Sequence, residues 1–380
     1  MIHPTQKNLA INHFIFMKHL TPIFFLFLTA IACQPKQETQ VPIKLNQMQV
    51  IGSHNSYKSG IEPALMQLLI QEDSGAMGLD YRHLPLDQQL DLGLRNLEID
   101  VVYDPEGGRF QQPLALQLMD SLGIPALPFD TAHELSTRGI KTFHIPDIDF
   151  RSHCLTFKGC LSDVRTWSMA NPTHFPIIIT INPKNSGINK PGYTEVTAFD
   201  AQALDSLDAE IAAVFADEEL ITPGLVQGSA ASLREAVLTT GWPALDASRG
   251  KVLFVFDAGR ELTEQYLQGD VASKPMFVDV EETHPMAAFF IMNDPIEQEQ
   301  EIRERVKKGY MVRTRADANT DEARKNNYER FEAAKRSGAQ VITTDYYIKE
   351  INPFSTFQVT FDSSTYERSN PVSIHPNPAL

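Results

Sequence analysis

The 380-residue chain is poor in cysteine and tryptophan, with three of the first and two of the second. So few cysteines exclude a disulfide-built scaffold, and no Cys-x-x-Cys is present to suggest a cysteine zinc site. A basic balance is also missing: 33 Lys+Arg face 48 Asp+Glu, for a formal net charge of −15. That argues against nucleic-acid binding and against electrostatic docking on anionic membranes. The apolar run at residues 23–32 falls short of the ~20 residues a lasting transmembrane helix needs. Low-complexity tracts and internal repeats are absent, and the 20 Gly and 24 Pro are spread along the chain.

What remains is a chain with 42% apolar residues and a mean hydropathy of −0.22, as expected of a soluble globular fold. Its start reads as a targeting segment. Lys18 and His19 precede the apolar run, which ends at Ala30-Ile31-Ala32-Cys33. This pattern resembles a bacterial lipobox, so residues 1–32 are expected to be a lipoprotein signal peptide, with the true start at Met17. Cys33 would carry the lipid, and the protein would be exported and anchored to a membrane. Loss of residues 1–32 removes Lys7 and Lys18, leaving 31 Lys+Arg against 48 acids and a net charge of −17. Residues 33–46 read as a polar tether. If Cys33 is lipidated, Cys154 and Cys160 are the one pair left to oxidise after export.

Strand-like and helix-like segments alternate through residues 47–352. Strands are expected to end near Gly52, Val102, Ile145, Asn182, Asp257, Met292, Arg313 and Thr344. Helical spacing of apolar residues marks 198–216 and 320–337, the second stopped by Gly338. Eight strands with helices between them predict an α/β fold, a closed parallel (β/α)8 TIM barrel. Residues 353–380 read as a C-terminal extension, with a strand expected over 356–361.

The chemistry concentrates at three strand ends. Gly52-Ser53-His54-Asn55-Ser56-Tyr57-Lys58 follows the first strand, Asn96-Leu97-Glu98-Ile99-Asp100-Val101 forms the second, and Phe143-His144-Ile145-Pro146-Asp147-Ile148-Asp149 ends the third. In a β/α barrel all these ends open on one face. Glu98 and Asp100 are two apart on a strand, so their carboxylates point the same way. Two carboxylates and the Asn55 amide oxygen suit a hard cation, Ca²⁺ or Mg²⁺. Histidine as a residue type, with an unperturbed pKa of about 6.5, suits proton transfer, which marks His54 and His144 as candidates. Together these are the parts of a metal-assisted phosphodiesterase.

From 48 to 352 the chain resembles the calcium-dependent phosphatidylinositol-specific phospholipase C family of bacteria. The likeness rests on the segments above, on Leu86-Asp87-Gln88-Gln89-Leu90, Trp167-Ser168-Met169-Ala170-Asn171-Pro172, Gly241-Trp242-Pro243, Arg313-Thr314-Arg315-Ala316-Asp317 and Ser337-Gly338-Ala339-Gln340-Val341-Ile342-Thr343-Thr344-Asp345-Tyr346. The resemblance implies His54 and His144 as general base and acid, with Asn55, Glu98 and Asp100 as calcium ligands. Where the family places an acid before x-Lys, this chain has Asn182-Pro183-Lys184, so an uncharged Asn182 would be the fourth ligand. Lys184, Arg313 and Arg315 are candidates for contact with the substrate phosphate or ring hydroxyls. Ser369 stands where relatives often carry a cysteine, which again leaves Cys154 and Cys160 to pair. The implied reaction releases diacylglycerol and an inositol phosphate from a phospholipid, in a monomer that binds no nucleic acid. A glycerophosphodiester phosphodiesterase, a sphingomyelinase-like enzyme and a non-catalytic binding lipoprotein are the alternatives.

Overall fold

The computed structural model describes residues 42–373. The expected signal peptide and Cys33 lie outside the described residues. No helix among those described is long and apolar enough to cross a membrane.

Among the described residues ten strands form the framework: β1 Met48–Ser53, β2 Asn96–Asp104, β3 Gly139–Lys141, β4 Ile177–Pro183, β5 Val252–Phe256, β6 Met276–Val278, β7 Phe289–Ile291, β8 Met311–Arg315, β9 Val341–Thr344 and β10 Glu367–Ser369. Eight of them form a parallel row in the order β6-β5-β4-β2-β1-β9-β8-β7. The row curls into a nearly closed barrel whose two free edges, β6 and β7, face each other without a ladder among the described residues. At Gly52, β1 meets β2 opposite Asn96. A Cβ there would lie 2.4 Å from that of Asn96, so only glycine permits the approach.

Strand alternation divides the barrel wall. Leu97, Ile99 and Val101 of β2 and Ile177, Ile179 and Ile181 of β4 share one core cluster with Phe157, Leu161 and Val164 of the helix Phe157–Ala170. Residues between them face the other way, with Glu98 in register with Thr180 and Asp100 with Asn182. A second cluster joins Val50, Ile178, Leu253, Val255 and Phe277 from four strands. Apolar packing therefore holds the wall, while polar residues collect at the C-terminal ends of β2 and β4.

Several elements depart from expectation. No barrel strand ends at Ile145. β3 stops at Lys141 and pairs antiparallel with β2, outside the parallel row. Residues 142–150 form a loop, tightened where the Asp149 N–H donates to the Ile145 carbonyl at 2.9 Å. Phe143 supplied the strand-like signal, but it is buried in a side cluster with Phe110 and Phe150. The strand missing from the sequence reading is β6, three residues long. Asn182 thus lies on the third barrel strand, while Arg313 stays on the seventh.

The helix expected over 198–216 is Ala201–Val214, capped where the Asp200 carboxylate accepts from the Ala203 N–H. The one expected over 320–337 splits into Asp321–Lys325 and Glu329–Ser337, because Asn326 turns left-handed at φ 50°. Folded structure begins before residue 47: Leu45 is buried and its N–H donates to the Pro243 carbonyl. The strand expected over 356–361 does not form. Its place is taken by β10, which pairs antiparallel with the first half of β1.

Candidate active site

His54 and Asn55 follow β1 directly. Asn55 adopts a left-handed φ of 49°, which asparagine tolerates better than most residues. The turn is fixed by the Ser56 N–H donating to the Glu98 carbonyl and the Lys58 N–H donating to that of Asn55. The Ser56 hydroxyl in turn accepts from the Glu98 N–H at 2.7 Å. The two sequence motifs are thereby locked to each other.

Nδ1 of His54 lies 3.0 Å from Oδ1 of Asp345, the residue after β9. Its Nε2 is 3.8 Å from Glu98 Oε1. With the proton on Nδ1 for Asp345, Nε2 presents its lone pair to the mouth of the barrel. Burial lowers the His54 pKa well below the usual histidine value, and the positive charge of Arg315 adds to this against the pull of Glu98. Neutral His54 is therefore the dominant form at neutral pH.

His144 does not end a strand, yet its loop carries it into the same set of charges: it is one of the groups that lower the His54 pKa. Its Nδ1 is 2.7 Å from Oδ2 of Asp149, five residues on. The same oxygen lies 3.0 Å from Nζ of Lys58. Lys58 is fully buried, donates to the Leu79 carbonyl at 2.7 Å and sits 4.4 Å from the centre of the Tyr81 ring. Burial pushes the Asp149 carboxyl up, but Lys58 and His144 outweigh it and the net shift is downward.

Four oxygen-bearing side chains lie around the ends of β1, β2 and β4. Asp100 accepts at Oδ2 from the Tyr57 hydroxyl at 2.9 Å and faces Nζ of Lys184 at 2.9 Å. Glu98 is held by the Arg313 guanidinium, which also donates to Asn293 Oδ1 at 2.7 Å. Asn182 is half-buried beside Asp100. One end of the Asn55 amide touches the Tyr81 hydroxyl at 2.7 Å, and the other lies 3.2 and 3.3 Å from the two oxygens of Asp100. With the amide nitrogen toward Asp100 this is a hydrogen bond. With the oxygen there, three oxygens converge, an arrangement that a bound cation would satisfy. All donors being oxygen, the set fits a hard cation. Among the described residues no three His, Cys, Asp or Glu side chains group as metal ligands. This set has two carboxylates and two asparagines.

Arg313 and Arg315 both point inward. Arg315 lies 3.3 Å from His54 Nδ1 and 3.6 Å from Asp345 Oδ2, and its Nε donates to the Asp317 carbonyl. Asp317 accepts from the Asp345 N–H at 3.0 Å and from the Thr344 hydroxyl. Burial and the nearby Asp345 push its carboxyl up to about 8. Asp257, just after β5, is pushed up to about 6 by burial, with Arg313 opposing and Glu98 and Asp100 adding to the rise. A disulfide joins Cys154 to Cys160 at the start of the helix that backs β2 and β4.

Sequence reasoning named His54, Asn55, Glu98, Asp100, His144, Asn182, Lys184, Arg313 and Arg315, but not Lys58, Asp149, Asp257, Asp317 or Asp345 in roles. Lys58 and Asp149 lie within the same short motifs as the histidines, and that proximity was the available signal.

A nearly closed parallel barrel with two carboxylate-held histidines, His54 directly after β1 and His144 in the loop after β3, has the make-up of a phospholipase C-like barrel. A family model described as "Phosphoinositide phospholipase C, Ca2+-dependent" matches residues 43–371, and the chain belongs to that family of Ca²⁺-dependent enzymes. Among solved structures it is similar to a calcium-dependent phosphoinositol-specific phospholipase C from a Pseudomonas species, at 16% identity and a TM-score of 0.54 over 86% of this chain and 96% of that one. It is also similar to a Ca²⁺-dependent phosphatidylinositol-specific phospholipase C from Streptomyces antibioticus, at 19% identity and a TM-score of 0.52 over 80% and 95%. At these identities the likeness concerns the fold. No curated protein matches the chain by sequence.

Proposed function

We propose that this chain cleaves the phosphodiester of phosphatidylinositol by histidine acid–base catalysis, releasing diacylglycerol and an inositol phosphate. The observation that carries the reading is the pair of buried contacts His54–Asp345 and His144–Asp149, each fixing one ring nitrogen. Both leave Nε2 for the substrate. His54, kept neutral, takes the proton of the ring 2-hydroxyl as that oxygen attacks phosphorus. His144 gives a proton to the departing glycerol oxygen, and a cyclic inositol phosphate results. Asn55, Glu98, Asp100 and Asn182 would hold Ca²⁺, or Mg²⁺ in its place. The bound ion supplies Lewis acidity toward the 2-hydroxyl and offsets charge developing on the phosphate. Lys184 and Arg313 add positive charge beside the carboxylates.

The test is a substrate panel on the purified protein, with phosphatidylinositol, glycerophosphocholine and sphingomyelin, each with and without Ca²⁺, followed by ³¹P NMR. Ca²⁺-dependent release of a cyclic phosphate from phosphatidylinositol alone is expected. Turnover of glycerophosphocholine or sphingomyelin instead would replace the inositol reading, and turnover of none would refute catalysis. Membrane anchoring through Cys33 belongs to the same proposal, motivated by Ala30-Ile31-Ala32-Cys33. Mass spectrometry of the mature N-terminus should show an acylated Cys33, and an unmodified N-terminus elsewhere would refute it.

A further inference from the structure

Strand register places a further acid in line with the candidate cation ligands. Asp100 of β2 is in register with Asn182 of β4. On the other side of β4, Ile181 is in register with Phe256 of β5, and the Asp257 N–H donates to the Ile181 carbonyl at 2.8 Å. The next residues in this row, Asn182 and Asp257, are therefore neighbours. In a parallel ladder, side chains in register lie on the same face. Asp100, Asn182 and Asp257 thus form one row across three adjacent strands.

The Asp257 carboxylate is also unclaimed. Its side chain is 23% exposed, and among the described residues its one charged neighbour within 4.0 Å is the Arg313 guanidinium, at the limit of that distance. That guanidinium is already committed to Glu98 and Asn293. No hydrogen bond to the Asp257 side chain occurs among the described residues. Asp100, by contrast, receives both a tyrosine hydroxyl and a lysine. A free carboxylate next to an uncharged position in a ring of oxygen donors is placed to act with that ring.

We propose that Asp257 supplies the cation site with the negative charge that position 182 lacks. The inference rests on the reading of Asn55, Glu98 and Asp100 as the site of Ca²⁺. Ca²⁺ takes six to eight oxygens in flexible geometry, so a ligand displaced by one strand is tolerable where Mg²⁺ would reject it. With Asp257 included, the row carries a second carboxylate beside that of Asp100.

Isothermal calorimetry of the full mature chain with CaCl₂ tests this without reference to activity. Asp257→Asn should raise the Ca²⁺ dissociation constant roughly 10-fold or more, since affinity follows ligand charge. Asn182→Glu in the Asp257→Asn background should restore it. Asp257→Glu, which keeps the charge, should bind within a few-fold of the parent, and circular dichroism in EGTA checks that each variant is folded. Parent-like binding by Asp257→Asn, alongside lost binding by Asp100→Asn, would overturn the role of Asp257 and leave the cation site standing. Parent-like binding by both would overturn the cation site itself, and the inference with it.

Discussion

Nδ1 of His144 sits 2.7 Å from Oδ2 of Asp149, and that same buried oxygen is 3.0 Å from the ammonium of Lys58. One carboxylate oxygen thus serves a candidate catalytic ring and a charge with no exposure to solvent. Removing either partner has different consequences. Asp149→Asn should lower kcat by roughly 10²-fold or more, because the ring loses its fixed tautomer and orientation. It should also cost stability by leaving Lys58 as an uncompensated buried charge. Lys58→Met leaves the His144–Asp149 contact in place. It should destabilise the fold, by about 3–5 kcal/mol if the pair behaves as other broken buried pairs do. Urea denaturation beside steady-state kinetics separates the two. Equal stability in Lys58→Met would show that the ammonium is not structurally required.

His54→Ala and His144→Ala should each reduce turnover by roughly 10²–10⁴-fold with the fold intact. Near-normal turnover in folded His54→Ala would end its assignment as base.

The pH profile gives a finer reading of His54. Its pKa is lowered by burial first and by Arg315 next. Turnover needs the neutral ring, so the acid limb of kcat/KM should lie below the ordinary histidine range. Arg315→Met removes a positive neighbour and must raise that pKa. The limb should therefore move to higher pH. A shift toward lower pH, or none, would contradict the electrostatic account.

Asp317 makes a prediction about stability. Its folded pKa of about 8 stands above the ordinary value near 3.9 of an unfolded chain. Protonated Asp317 thus favours the folded state. That contribution is complete below about pH 4 and is lost as pH climbs toward 8. Asp317→Asn keeps an oxygen for the Asp345 N–H and cannot ionise. Its melting temperature relative to the parent should rise between pH 4 and pH 8, measured by scanning calorimetry. A constant difference across that range would argue against the shift.

The Cys154–Cys160 bridge closes a short loop, so its entropic worth is about 2 kcal/mol. Replacing both cysteines with serine should lower the melting temperature by a few degrees. Ca²⁺ affinity should not change, since the bridge lies at a helix start behind the barrel wall.

His54, Asn55, Glu98 and Asp100 were legible because each belongs to a strand end with a strong local pattern. The apolar alternation of β2 also dictated which way its two carboxylates point. β6 was not legible: three apolar residues between Pro275 and Asp279 carry too little periodicity to outweigh a loop. Phe143-His144-Ile145 failed in the opposite sense. Burial of Phe143 in a side cluster looks the same in sequence as burial in a strand. The partners of the histidines are a third case. Asp345 is 291 residues from His54, and nothing local announces a pairing that only barrel closure creates. Asp257 became visible only through register, since its relation to Asn182 is one of neighbouring strands rather than neighbouring residues.

The antiparallel pairing of β10 with β1 has a consequence for how the molecule is made. Met48, Gln49 and Val50 pair with Ser369, Arg368 and Glu367, and the Arg368 guanidinium reaches Gln49 across 319 residues. During synthesis, the first strand to emerge therefore waits with an open edge until almost the whole described chain has followed. Such edges invite pairing with other chains. A chain crossing a membrane in the direction of its synthesis could not complete this barrel on the way. If the chain is exported as proposed, completion of the sheet would follow release, and a product ending at residue 352 would carry the whole candidate site yet keep a sticky first strand.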